Sequence, residues 1–214
     1  MTSLGELGLG AMGRLRPTPA AGDSTSAIVL PPVDPHGGMP LMEALAARRS
    51  VRDFAPDPLP LPLLGGLLWA AFGINRPDGH RTAPTAINSQ EIDVFAALPT
   101  GAYRYEALKH ELVLVAASDV RRVTGYQDFV DTAPLDLVFV ADHSRMRMVP
   151  AASRGCYSSA AAGAISQNVY LFCASEGLVT GVRAMVDRPP LAKALKLGPN
   201  QTIAFAQCVG YPKK

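Results

Sequence analysis

Cysteine is scarce in this chain: Cys156, Cys173 and Cys208 are the only three among 214 residues. An odd, scattered set cannot build a disulfide framework, so the thiols are expected to be reduced and mostly buried, Cys156 included, as small hydrophobes. Long apolar runs are missing too. The longest candidate, Leu59 to Ile74, is interrupted by prolines and by Gly65-Gly66, short of the ~20 residues that a membrane span needs. Charge of one sign is also lacking: 20 basic against 18 acidic residues leave +2. No overall field draws the chain to nucleic acid or an anionic membrane, and any anion site must be local. The four histidines, His36, His80, His110 and His143, stand far apart without paired ligand spacing, which argues against a metal site. Neither a Walker A loop nor a Gly-x-Ser-x-Gly elbow is present. Redox chemistry borrowed from a cofactor is what these absences leave open.

What is there describes one domain with an unusual beginning. A chain of this length buries roughly 70% of its unfolded surface and needs no second domain. Residues 1 to about 38 are rich in Gly, Pro, Ala, Ser and Thr, and are expected to form a flexible arm that orders only against something else, with the folded domain running from 39 to 214. Met1 to Leu15 lacks a cationic start followed by a continuous apolar stretch, so the expected compartment is cytoplasmic, with a periplasmic one as the alternative.

Periodicity predicts a helix from Pro40 to Arg49, with Leu41, Met42, Leu45 and Ala46 as its apolar stripe, and a second from Leu61 to Phe72. Asn75 to Ser89 reads as a long polar loop. Glu91 to Leu98 and Ala102 to Tyr105 form a hairpin around Pro99-Thr100-Gly101, and Glu111 to Ala116 continues the sheet or starts a helix. Asp119 to Tyr126 suggests a short helix and Leu135 to Ala141 a buried strand. A long small-residue helix is expected from Ser158 to Glu176, stopped by Gly177. A strand (Leu178 to Ala184), a short helix (Pro189 to Leu197) and a last strand (Thr202 to Val209) complete an α+β order, with a mixed, mostly antiparallel sheet flanked by helices.

Four segments offer chemistry. Gly8-Leu9-Gly10-Ala11-Met12-Gly13 matches the dinucleotide pattern letter for letter, but no buried strand precedes it, so it reads as chance in a glycine-rich tail. Arg48-Arg49-Ser50-Val51-Arg52 packs three guanidiniums and a hydroxyl into five residues, donors that match phosphate oxygens. The plain alternative is a solvated cationic helix end. Pro84-Thr85-Ala86-Ile87-Asn88-Ser89-Gln90 offers neutral amides and hydroxyls suited to a heteroaromatic edge, or simply turn chemistry. The small-residue helix, with Gly177-Leu178-Val179-Thr180-Gly181 beyond it, permits close approach of a second subunit or of a ligand to backbone N–H groups. Core packing with a glycine cap is the alternative.

Together these segments resemble the nitroreductase family, and within it the branch of flavin dehydrogenases that oxidise azoline rings in peptides. Leu41 to Phe54 is similar to the family's opening signature, and Ala83 to Gln90 to its Pro-Ser-x-x-Asn-x-Gln loop, with Thr85 keeping the serine's hydroxyl. Gln127-Asp128-Phe129, Ala133-Pro134-Leu135, Gly163 to Asn168, Gly177 to Thr180 and Val209-Gly210-Tyr211-Pro212 follow in the family's order. The resemblance implies a nitroreductase-like three-layer sandwich and an FMN-binding homodimer with two interfacial sites. Arg48, Arg49, Ser50 and Arg52 would hold the phosphate and ribityl chain; Pro84, Thr85, Asn88 and Gln90 would approach the flavin. Val179, Thr180 and Gly181 would offer backbone donors, and Lys213 a further cation. It also implies ping-pong chemistry. NAD(P)H reduces the flavin and leaves, then an electron-poor small molecule such as a nitroaromatic or quinone takes the electrons, with no side chain acting as acid or base. The implied alternatives are an azoline-type dehydrogenase without nicotinamide and a flavin-binding dimer without turnover. Glu91-Ile92 stands where many reductases carry Pro-Trp, and the Tyr103-Arg104-Tyr105 hairpin is more typical of the dehydrogenase branch.

Overall fold

Two core layers, one on each face of an eight-stranded sheet, organise the computed structural model, which describes residues 13–213. In chain order the strands are β1 (Thr18–Pro19), β2 (Ala27–Val29), β3 (Phe54–Ala55), β4 (Ile92–Leu98), β5 (Gly101–Glu106) and β6 (Glu111–Ala116). β7 (Ser118–Asp119), β8 (Leu135–Asp142), β9 (Val179–Arg183) and β10 (Gln201–Pro212) follow. The helices are α1 (Leu41–Ala47), α2 (Leu61–Phe72), α3 (Ala151–Ser175) and α4 (Arg188–Ala194). The sheet runs β2-β6-β5-β4-β8-β10-β3 with β9 also on β10. Every strand pair in it is antiparallel; among the described residues the one parallel link is an isolated bridge from Ser50 to Thr180.

The central strand explains the layering. Leu135, Leu137, Phe139 and Ala141 of β8 join the core beneath α2 and α3, while Val138 and Val140 join the opposite core with Leu191 and Leu195 of the α4 segment. A strand covered on both faces carries a nearly unbroken apolar run. This is the α+β three-layer arrangement expected from the sequence. α2 occupies the expected residues: Pro60 precedes it, Pro62 sits in its first turn where the missing N–H costs nothing, and Gly73 ends it.

Three expectations need correction. The long helix begins at Ala151, not Ser158, because Pro150 sets its start while the small residues after it show no apolar stripe. Its end is as expected, with Gly177 in the left-handed region at φ 69°. Cys156 is exposed on that helix, whereas Cys173 and Cys208 are buried. The segment from 13 to 38, expected as a free arm, lies on its own chain. β1 pairs with β7, β2 pairs with β6, and Leu30 is 4% exposed. Its order comes from backbone hydrogen bonds to distant strands, such as Ala21 N–H to Pro99 O at 2.8 Å. The Gly8 to Met12 portion of the glycine motif lies outside the described residues.

Candidate functional site

The arginine segment is fixed where α1 gives way to extended chain. Arg48 already leaves the helix, at φ −54° and ψ 124°, and Ser50 then meets the outer edge of β9. Val51 N–H donates to Thr180 O at 2.9 Å, and a Cβ on Gly181 would lie 2.9 Å from Val51 O, so only glycine allows the two segments this close. Beneath them stands Tyr170 of α3. Its hydroxyl is 2.7 Å from Ser50 Oγ and accepts from Val182 N–H at 3.0 Å, and its ring lies 5.3 Å from the Arg48 guanidinium.

The electrostatics of this corner follow from what the arginines do not do. Among the described residues Arg48, Arg49 and Arg52 make no side-chain hydrogen bond or ion pair, whereas Arg81, Arg121, Arg145 and Arg183 are all engaged by carbonyls or carboxylates. Three guanidiniums beside an exposed serine hydroxyl form a donor set suited to a phosphomonoester dianion. Lys213 extends the same edge: its Nζ is 3.6 Å from Asp53 Oδ1, with both side chains mostly exposed. Arg49, Val179, Thr180 and Tyr170 share a cavity of about 160 Å³ with Cys173, whose thiol burial pushes well above its ordinary pKa. Gly181 pairs with Cys208 of β10 and Thr180 O is taken by Val51, so strand pairing already uses much of this backbone.

The Pro84 to Gln90 loop forms a second group. Ile87, Asn88 and Gln90 all have positive φ, at 48°, 53° and 47°, a conformation that costs non-glycine residues and persists only where surroundings enforce it. Gln90 supplies much of that enforcement. Its N–H donates to Thr85 Oγ1 at 3.0 Å, its amide Nε2 donates to Gly79 O and Asn88 Oδ1, and its Oε1 accepts from Arg81 Nε at 2.9 Å. Arg145 donates to Gln90 O at 2.8 Å. The side chain of Gln90 is therefore a brace within the loop, while Pro84, Ile87 and Asn88 stay exposed. Among the described residues no hydrogen bond, bridge or cavity lining joins this loop to Arg48, Arg49, Ser50 or Arg52.

Sequence reasoning missed Tyr170, which sits 120 residues beyond Ser50 and carries no local signal. It also missed a cleft of about 750 Å³ between the Pro32 to Met39 segment and α1, α2 and α3, lined by Trp69, Leu63 and Phe172 with Asp34, Thr82 and Asn168. Several of its lining residues are turn-formers or helix positions whose convergence only the fold reveals.

The sequence profile described as Nitroreductase family matches residues 45–211, spanning both groups and the sheet between them. The chain belongs to the nitroreductase family. A protein of Ralstonia eutropha JMP134, provisionally named a nitroreductase, shares this fold with a TM-score of 0.90 and 48% identity, over 94% of this chain and 96% of that one. A protein of Methanocaldococcus jannaschii, also provisionally named a nitroreductase, is 29% identical over 150 residues, 65% of this chain and 76% of its own length. At the level of fold alone, the NADPH:FMN oxidoreductase of Vibrio harveyi, solved with NAD+, aligns with a TM-score of 0.61 and 19% identity, over 81% of this chain and 69% of that one. For this nitroreductase-family member the same donor inventory, cationic at Arg48 to Arg52 and neutral at Thr85 to Asn88, is chemically matched to a ligand with an anionic end and a polar heteroaromatic end. No helix among the described residues is long and apolar enough to cross a membrane.

Proposed function

We propose that the chain is an FMN-dependent oxidoreductase that works as a homodimer, taking electrons from NAD(P)H and passing them to electron-poor small molecules such as nitroaromatics or quinones. The observation that carries this reading is the trio of unengaged guanidiniums beside the Ser50 hydroxyl on the edge of β9. Arg48, Arg49, Arg52 and Ser50 would hold the phosphate, and Thr85 and Asn88 would meet the flavin's polar edge while Gln90 keeps their loop in shape. FMN, when bound, supplies the hydride and electron chemistry. The chain's own part is to bind, orient and exclude water, which needs no acid or base among these residues.

Two features favour two copies. A cavity of about 160 Å³ is smaller than the 300 to 1,000 Å³ typical of ligand pockets, so one chain supplies only part of a flavin site. Among the described residues the arginine and loop groups share no contact or cavity within one chain, and two copies would let a ligand draw the groups from different subunits. α1 also exposes Leu41, Met42 and Leu45, and α3 exposes small residues including Gly155, Cys156 and Gly163, an apolar surface of the kind that subunits cover.

The visible spectrum of the protein, before and after anaerobic NADPH or NADH, tests the reading. Flavin bands that bleach support it. Flavin bands that persist with both donors reject the nicotinamide half-reaction and favour a dehydrogenase or carrier, and no flavin after reconstitution with FMN rejects the cofactor.

A further inference from the structure

Tyr170 stands at the centre of the anion corner, hydrogen-bonded to Ser50 and close to the Arg48 guanidinium. It is 6% exposed, on the buried side of α3, and its hydroxyl has two neighbours: Val182 N–H at 3.0 Å and Ser50 Oγ at 2.7 Å. Satisfying the buried phenol's own O–H favours one direction for the second bond. The Val182 N–H can only donate, so the phenol oxygen accepts there, and the phenol's single O–H is left to find an acceptor. Ser50 Oγ is the only such atom within hydrogen-bond distance among the described residues. The chain Val182 N–H to Tyr170 O–H to Ser50 Oγ satisfies every member and leaves the serine's own O–H unspent.

Because Ser50 is exposed and its backbone is locked to Thr180, that remaining O–H points to whatever occupies the space beside it. The same ring lies under the Arg48 guanidinium at 5.3 Å, close enough for a cation–π attraction that favours that position of the fork. One buried side chain thus contacts two donors of the corner, the exposed Ser50 and the half-buried Arg48.

We infer that Tyr170 is the positioning residue of the anion site: through its hydroxyl it fixes Ser50 as a donor, and through its ring face it holds Arg48, so that both meet a phosphate group already aligned. Donors fixed in advance bind an oxyanion more tightly because less freedom is lost on binding. The role assigned to Tyr170 is positioning, exerted through Ser50 and Arg48. The inference rests on the reading of this corner as the FMN phosphate site, and the experiment separates the two.

The test measures fluorescence titration of the apoprotein with FMN and, separately, with riboflavin, which has the same ring and no phosphate. For Tyr170→Phe, which keeps the ring and removes one oxygen, FMN affinity is expected to fall roughly five- to tenfold, the worth of about one hydrogen bond. Riboflavin affinity stays within about twofold. In a Ser50→Ala background the same change has no further effect on FMN, because the relay already ends there. Arg48→Lys, which keeps the charge but cannot lie flat on the ring, gives an independent loss confined to FMN. Equal losses for FMN and riboflavin, or losses from Tyr170→Phe and Ser50→Ala that simply add, overturn the positioning role in favour of a structural one. Unchanged FMN affinity in Tyr170→Phe overturns it alone, whereas a wild-type protein that binds FMN no better than riboflavin overturns the phosphate assignment beneath it.

Discussion

Arg183 ends β9 while Arg48, Arg49 and Arg52 sit in the segment that meets the outer edge of β9 at Ser50, and their settings are opposite. Arg183 is 4% exposed, and its guanidinium donates to Thr124 O at 2.7 Å and Thr124 Oγ1 at 3.0 Å and pairs with Asp136 at 3.3 Å. Asp136 is fully buried, and desolvation pushes its carboxyl up, opposed by the Arg183 charge and by hydrogen bonds that include one from Thr124. A Cβ on Gly125 would fall 2.1 Å from Arg183 Nη1, so even the neighbouring backbone is shaped around that side chain. The trio on the outer edge has no such partners. A guanidinium that serves the fold is held by buried partners, as both terminal nitrogens of Arg183 are although its Nε has none, and one without such partners beside a rigid strand is available to a ligand.

The largest expected effect breaks the first half of this contrast. Arg183→Met strands the Asp136 carboxyl in the core and should cost about 3 to 5 kcal/mol in urea denaturation, much of it recovered when Asp136→Leu is added. Stability unchanged by Arg183→Met would erase the distinction between the two arginine classes. Next, Arg48→Ala combined with Arg52→Ala should weaken FMN binding by about 3 kcal/mol, two charge-assisted contacts, while thermal stability moves by no more than about 0.5 kcal/mol. Equilibrium dialysis with FMN and a thermal melt of the same protein decide it, and a melt that collapses would place these arginines with Arg183. The smallest effect is at Lys213, whose exposed 3.6 Å pairing with Asp53 is weak: Lys213→Ala should reduce FMN affinity by less than about fivefold and leave the melt unmoved. A larger loss at low salt that vanishes at high salt would promote it to the trio.

How much of this was legible in the sequence depended on how local the cause was. β8 and α2 announced themselves because periodicity, prolines and glycines act within a few residues. The Arg48 to Arg52 cluster was legible for the same reason, as three guanidiniums and a hydroxyl within five residues. The docking of residues 13 to 38 was not, since Thr18 finds its partner at Asp119 and Leu30 N–H finds His110 O, pairings between distant segments that no window contains. The internal use of Gln90 was equally hidden, because Arg81 and Arg145 reach it from two other elements. Tyr170 lay in a helix readable only as small-residue packing, and its relation to Ser50 exists only once α3 crosses beneath β9.

The contrast among the cysteines gives the molecule a built-in reporter. Burial raises the thiols of Cys173 and Cys208 far above their ordinary range and hides them, which leaves Cys156 as the accessible sulfhydryl on the outer side of α3. A maleimide dye or nitroxide can therefore be attached to the unaltered chain at one chosen place. In the proposed homodimer, with this helix facing its counterpart, the speed of that attachment would become a clock for assembly, read without touching a single residue of the site.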